Sequence, residues 1–537
     1  MQCRAFLCAA EHWRTATALQ ADPGQRHRYG AARAKALDAA GRRGQAVDVL
    51  LAAAHDAEVS GAAPEIILQY QCFAMQNAVT TGAKDVGDRL LRTLLLPLGL
   101  TPPNSRKASL VNLLWQRSRL ALQRKHQGPG RPQQPLETAS LETAWAAAVS
   151  LTFHDFVQAA TYSAWFLRRA YTLGDRAAIG RGLAFEATYH AILGGRSREQ
   201  KSAQCLNKAL ALQGDQAPAM ARGWMLLGQT ASAFFTMQYA RTVELGWQAI
   251  EVFERQCERS QFERGTTIAF TAASLAHLGE ITELQRVVRQ ETVTAEENGL
   301  LLPATGMRMG QCVFAWLAAD DVTRWRLQAE AQMAWWWARN PDPVVSYYVF
   351  AMANAELYQG RPDQARQLLE RHSDDLKRSG FQHIEAMNNE FNDLRARVLL
   401  SLAQQAPPAD RKRLQSQVID IASNMSRCTL AAAQARAQAL RAGASCLLAD
   451  HPKRIAAIRQ AYAALKDTDL RMATHVAAWV LGQQSSQDEA GEPALVANAW
   501  MNKHGIVRPD RLAAVLLPGC AGPVTAVLAS QHLGITS

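Results

Sequence analysis

The feature that most constrains the fold is a helix–turn–helix unit that recurs in degraded form along the chain. Its clearest copy is residues 34–58, in which Gly41 and Gly44 flank a tight turn between two helical stretches. Glycine adopts positive φ without steric cost, so it suits the end of a helix. One pair of amphipathic helices cannot bury its apolar face alone, whereas stacked copies can. The unit therefore predicts a helical solenoid.

A second copy of the unit follows the glycine at position 360. In both copies an alanine lies five residues after the turn glycine and a leucine lies nine residues after it. Both offsets place an apolar side chain on one face of the second helix. The matched residues are Gly41, Ala46 and Leu50 in the first copy and Gly360, Ala365 and Leu369 in the second.

The rest of the chain favours helices throughout. Alternation of β-branched residues never persists, while Ala, Leu, Gln, Arg and Glu recur at helical spacing. The 537 residues also exceed the roughly 250 to 300 residues of a single compact core, a length that an open repeat accommodates. Spacing between turn glycines is irregular. We therefore predict an all-α fold, a solenoid of degenerate tetratricopeptide-like helix pairs.

Proline and glycine suggest how the solenoid is divided. The segment 128–135, GPGRPQQP, is the strongest linker signal in the chain. It separates N-terminal repeats with a basic helix, 1–127, from the main solenoid, 136–482. A C-terminal segment, 483–537, contains a closing motif at 497–519 and ends in a tail that we expect to be flexible.

Localisation is inferred from what the sequence lacks. No run of about 18 apolar residues offers a membrane span, and the first ten residues do not resemble a secretion signal. The nine cysteines include no pair at metal-binding or redox spacing, since Cys3 and Cys8 are too far apart. We expect a cytoplasmic protein with reduced thiols and no membrane among its partners.

No catalytic motif is present in the sequence. The glycine-rich loop and the His-Arg-Asp and Asp-Phe-Gly motifs of protein kinases are absent. The nearest approach to a phosphate-binding loop is 195–202, where Gln200 replaces the second glycine that such a loop needs. We expect no enzymatic activity from this chain, no cofactor and no metal site.

The positive charge is concentrated in a basic segment, 89–131, which contains nine Lys or Arg residues and no Asp or Glu. Such a segment can bind nucleic acid or an acidic partner. The alternative is a solvated helix face followed by a linker. The candidate electrostatic patch consists of Arg106, Lys107, Arg117, Arg119, Arg124 and Lys125.

Aromatic residues form a second candidate site. Three consecutive tryptophans on a helix span about 200°, so they cannot all face one core. At least one is expected on a second surface, where aromatic anchors bind peptides or ligands. The alternative is packing between repeats. The candidate partner-binding residues are Trp325, Trp335, Trp336, Trp337, Tyr347 and Tyr348.

Several stretches, taken in order, resemble a known family. They are 37–54, 89–100, the basic helix 113–122, 318–321 with the tryptophan-rich helix, 347–348 with 356–360, and the closing motif ANAWMNKHGIVRPDRLAAVLLPG at 497–519. Together they are similar to the helical-repeat tail of large bacterial serine/threonine protein kinases. Those proteins carry a kinase domain and an ATPase module before the tail.

The resemblance implies a function. The tail would act as a non-catalytic protein-interaction or sensory scaffold, with a kinase or ATPase module as its partner rather than nucleic acid. No catalytic residue can be carried over, because the kinase and ATPase domains are absent from the sequence. Since Met1 falls within the first repeat pair, we expect either an upstream continuation, which would then be a kinase, or a split descendant.

Overall fold

The computed structural model describes residues 2–523 except 82, 101–102, 104, 124–133, 153–154, 214–216, 258–259, 298–300, 339–343, 449 and 486. The described residues form 27 α-helices and no β-strand. This confirms the predicted all-α, solenoid-like fold. In the described part of the chain, no helix combines the length and apolar character needed to cross a membrane.

Fourteen helices precede residue 300. They are α1 (Gln2–Leu19), α2 (Pro23–Ala39), α3 (Arg43–Val59), α4 (Pro64–Thr80), α5 (Lys84–Leu95), α6 (Arg106–Leu122), α7 (Pro135–Leu151), α8 (Phe156–Leu173), α9 (Arg176–Leu193), α10 (Arg196–Gln213), α11 (Ala219–Phe235), α12 (Tyr239–Gln256), α13 (Gln261–Leu278) and α14 (Ile281–Glu297).

Thirteen helices follow. They are α15 (Leu301–Arg308), α16 (Phe314–Ala318), α17 (Val322–Trp337), α18 (Val345–Tyr358), α19 (Pro362–Arg371), α20 (Ser373–Ser379), α21 (Glu385–Gln405), α22 (Pro408–Met425), α23 (Ala431–Cys446), α24 (His451–Leu465), α25 (Arg471–Gln484), α26 (Gln487–Lys503) and α27 (Pro509–Leu516). Short 3-10 turns lie at Leu96–Leu98, Gly310–Val313 and Phe381–His383.

The two clear copies of the repeat share one turn geometry. Gly41 and Gly360 both have φ of 72°, the left-handed conformation that favours glycine. In each, the N–H of the next residue bonds to the carbonyl four residues before the glycine, at 2.8 and 2.9 Å. This bond caps the first helix and turns the chain into the second. The alanines and leucines at the matched offsets are buried, as predicted.

The solenoid turns back on itself. Most consecutive helices pack against each other, and α21 and α25 return to contact α9, α11 and α13. We call the contacts between residues 195–282 and 385–507 the seam. Three hydrogen bonds across the seam are Gly195 N–H to Glu385 Oε2 (2.9 Å), Ala240 N–H to Asp469 Oδ2 (2.9 Å) and Trp500 Nε1–H to the Gly279 carbonyl (3.0 Å).

The closing motif packs against the solenoid. The buried guanidinium of Arg397 donates hydrogen bonds to Asn354 Oδ1 at 2.8 Å and to the Val515 carbonyl at 3.0 Å. The backbone of the motif also lies close to α23 at Gly443. A Cβ atom added at Gly443 would lie only 2.5 Å from the Pro518 carbonyl oxygen. The predicted flexible tail falls partly on residues 524–537, which lie outside the described residues.

The predicted linker 128–135 lies largely outside the described residues, because α7 begins at Pro135 and 134 is the only other position described. Helices on either side of it share one apolar core, in which Met75 and Leu94 join Leu141 and Phe166. The division into 1–127, 136–482 and 483–537 stays a prediction.

We predict that Gly443→Ala lowers the free energy of unfolding by about 1 to 3 kcal/mol, because the added methyl group overpacks the contact with Pro518. Gly44→Ala is the matched control, since a Cβ there meets nothing within 4 Å and alanine favours the helix. Thermal unfolding followed by circular dichroism measures both. A Gly443→Ala chain as stable as the Gly44→Ala chain would contradict the close packing.

Candidate functional site

Helix α6, the basic helix of the sequence, packs one face on α8, and its opposite face is exposed in the part of the chain that the structure describes. Leu113 and Gln116 are buried on the packed face. The open face carries large apolar side chains within an arc of about 140°, at 100° per residue. These side chains are between 45% and 84% exposed, and they are Leu110, Val111, Leu114, Trp115 and Leu122.

The described basic residues of α6 divide between its two faces. Lys107 and Arg119 are exposed, and the Arg119 guanidinium lies 5.8 Å from the centre of the Trp115 ring. Arg117 instead points inward and donates two hydrogen bonds to the buried Glu186 carboxylate, at 3.0 and 2.6 Å. Its guanidinium also covers the Tyr189 ring at 3.8 Å. The Arg117 side chain is therefore occupied by contacts within the chain.

The remaining members of the predicted patch are only partly covered by the structure. Arg106 begins α6, but its side chain is not among those described, and Arg124 and Lys125 lie outside the described residues. The surface formed by Lys107, Arg119 and the five exposed apolar side chains is called the α6 face below.

The predicted aromatic residues do not form one groove. Trp325 and Trp336 are buried in the core, where their indole N–H groups donate to the Arg308 carbonyl at 2.7 Å and to Thr305 Oγ1 at 2.9 Å. Trp335 is half-buried beside Trp336. Two of the six residues therefore serve packing within the core.

Another two residues form a small surface cluster. Trp337 is 41% exposed. It stacks on His372 with ring centres 5.4 Å apart, and Tyr348 meets both rings edge-on. The sixth residue, Tyr347, lines a cavity inside the superhelix together with Trp336.

This interior cavity has a volume of about 320 Å³, is partly open to solvent, and is lined by twelve helices, among them α9, α11, α13, α15, α18 and α21. Its walls are mainly aromatic rings and small residues. The rings include Phe234, Phe270, Trp336, Phe350, Phe381 and Phe391. The small residues include Ala184, Gly228, Ala231, Ala269, Ala273 and Gly306.

One end of the interior cavity is polar. Glu390 is only 14% exposed, and its carboxylate accepts hydrogen bonds from Tyr239 at 3.2 Å and from Gln311 at 2.9 Å. The Arg436 guanidinium lies 2.6 Å from it and the His277 ring nitrogen 3.6 Å. The His277 and Tyr239 rings stack with centres 4.1 Å apart. We call these five residues the Glu390 cluster.

The electrostatics of the cluster follow from burial and the nearby arginine. Burial raises the pKa of Glu390, but Arg436, His277 and Arg397 outweigh it and bring that pKa to about 2. Burial, opposed by Glu390 and aided by Arg436, lowers the pKa of His277 to about 4. At neutral pH His277 is therefore uncharged, and the charges of Glu390 and Arg436 cancel.

The interior cavity and the Glu390 cluster could not be predicted from the sequence. The cavity residues come from twelve helices, and the Tyr239–Glu390 bond joins positions 151 residues apart. The one local signal is the high content of alanine and glycine on α11 and α13. In the described part of the chain, no group of His, Cys, Asp and Glu residues is suited to a metal ion.

Comparison with known proteins gives no family assignment. No protein-family model matches the sequence, and no curated protein matches it significantly. The resemblance to kinase tails therefore stays an expectation from the motifs.

We predict that stability falls as pH falls from about 6.5 to about 4. The unfolded chain binds a proton on His277 near pH 6.5, whereas the folded chain resists it until about pH 4, so protonation favours unfolding. The difference between the pKa of His277 in the unfolded chain and in the folded chain corresponds to roughly 3 kcal/mol in the free energy of unfolding. Thermal unfolding at a series of pH values measures it.

His277→Gln should reduce the slope of stability against pH in that range, because the substituted side chain does not titrate. His12→Gln, on the exposed surface of α1, is the control and should leave the slope unchanged. Equal slopes in the wild type and the His277→Gln chain would contradict the buried, neutral state of His277.

Proposed function

We propose that this chain is a non-catalytic helical-repeat scaffold that docks a protein partner on the α6 face. The observation that carries the proposal is the exposure of five large apolar side chains on one helix face. Contiguous apolar surface of this kind marks interaction sites in proteins that fold in water. Tryptophan and arginine, which supply much of the energy at protein interfaces, are both present in Trp115 and Arg119.

The charge around the α6 face indicates the chemistry of the partner. Helix α6 contains no Asp or Glu, and its exposed basic side chains among the described residues are Lys107 and Arg119. Lys107 lies within the apolar arc and Arg119 lies at its edge. A partner surface that is both apolar and acidic complements this arrangement, and opposite charges would also speed the encounter.

The resemblance described above suggests which partner to test. In the family that the chain resembles, the helical-repeat tail follows a kinase domain and an ATPase module. A scaffold of this kind would receive a signal and pass it to those modules through the docked face. The absence of kinase and ATPase motifs from the sequence supports a non-catalytic role.

We predict that the purified chain binds the kinase–ATPase module from the same genome, measured by isothermal titration calorimetry near 0.15 M salt. The double substitution Leu114→Ala and Trp115→Ala should weaken binding by about tenfold or more, because it removes the central apolar anchors. Leu327→Ala is the matched control, since Leu327 is equally exposed but lies on α17. Unchanged affinity in the double variant, or no complex, would contradict the proposal.

A duplex DNA titration distinguishes this proposal from nucleic-acid binding through the same segment. Counterion release gives a slope of log K against log salt near −0.9 per phosphate neutralised. The scaffold proposal expects weak binding that does not depend on Lys107 and Arg119. Tight binding that is steeply salt-dependent and lost in Lys107→Glu/Arg119→Glu would favour nucleic acid instead. Arg117 is unsuitable for this test because it pairs with Glu186.

A further inference from the structure

The interior cavity is large enough to bind a small organic molecule. Its volume of about 320 Å³ is about twice the 150 Å³ of an engineered apolar cavity that binds one benzene ring. Ligand sites in proteins are concave, mostly apolar and equipped with a few polar groups that orient the ligand. The interior cavity has each of these properties, and it lies apart from the α6 face.

Small residues around the cavity have two different roles. At Gly228, an added Cβ would lie 2.8 Å from the Cβ of Ala184, so this glycine is required for helix packing. At Gly306, an added Cβ would meet no atom within 4 Å. Close packing against neighbouring residues therefore does not explain why position 306 is a glycine. The missing side chain of Gly306 instead leaves open space beside the aromatic rings.

The polar end of the cavity restricts the charge of a ligand. Glu390 is already paired with Arg436, and it accepts hydrogen bonds from Tyr239 and Gln311. A charged group on a ligand would find no free counter-charge there and would lose its hydration. Because the Gln311 Nε2 is committed to Glu390, its amide oxygen is the acceptor left for a neutral donor.

We propose that the interior cavity binds an uncharged, predominantly apolar molecule of two or three rings, whose single hydrogen-bond donor faces Gln311. The volume sets the size of this molecule, the aromatic walls set its apolar character, and the neutral polar end sets its one polar group. The site is independent of the α6 face, so each proposal can fail without the other.

N-phenyl-1-naphthylamine is a suitable probe, because it has three aromatic rings and one N–H and becomes fluorescent in apolar surroundings. We expect saturable binding at one site per chain, together with a higher Tm. Gly306→Leu should weaken binding by about tenfold or more, since its side chain occupies the cavity. Gly44→Leu adds the same side chain at an open helical position on α3, and it should leave the affinity unchanged.

The polar end is tested with a second pair of measurements. Gln311→Leu should weaken binding of N-phenyl-1-naphthylamine by about three- to tenfold, the range for one hydrogen bond. Binding of 1-phenylnaphthalene, which lacks the N–H, should be unchanged in the same variant. Circular dichroism and Tm establish that each variant is folded, and Ala273→Leu on α13, which also lines the cavity, replaces Gly306→Leu if that variant does not fold.

Three results would overturn the proposal. Binding that does not saturate would indicate a non-specific apolar surface rather than a site. Equal affinity in the wild type, Gly306→Leu and Ala273→Leu chains would exclude the interior cavity. Loss of probe binding in the Leu114→Ala/Trp115→Ala chain would place the probe on the α6 face instead.

Discussion

The closed form of the solenoid depends on the buried carboxylate of Glu390. Its partners come from four separate parts of the chain: Tyr239 begins α12, His277 ends α13, Gln311 lies in a 3-10 turn and Arg436 lies on α23. Removing one partner from a buried ion pair costs about 3 to 5 kcal/mol, because the other charge is left uncompensated. A loss of that size is a large part of the 5 to 15 kcal/mol that stabilises a typical protein.

The same carboxylate separates two spaces of different character. On one side is the interior cavity, and on the other is a smaller space of about 50 Å³ that is lined by charged as well as apolar side chains and that Leu516 to Pro518 of the closing motif help to line. A ligand that binds the folded chain and not the unfolded chain stabilises the folded state by mass action. A molecule that fills this volume would therefore stabilise the closed solenoid and the seam beside it.

Local patterns predicted the repeats, whereas contacts between distant residues determined the sites. Gly41 and Gly360 could be recognised because a helix cap depends on a few neighbouring residues. The burial of Trp336 and the exposure of Trp337 could not be assigned in advance, since the helical period requires only that the three consecutive tryptophans do not all face one core. The Glu390 cluster depends on how the whole superhelix curves, and the spacing of residues in the sequence does not indicate that curvature.

Small-angle X-ray scattering of the wild-type and Glu390→Ala chains tests the closed solenoid most directly. The account predicts a wild-type profile that matches the closed solenoid. It also predicts a larger radius of gyration in the Glu390→Ala chain at unchanged helix content, because the seam opens while the helix pairs stay folded. A wild-type profile of an open solenoid, or the same radius of gyration in both chains, would contradict it.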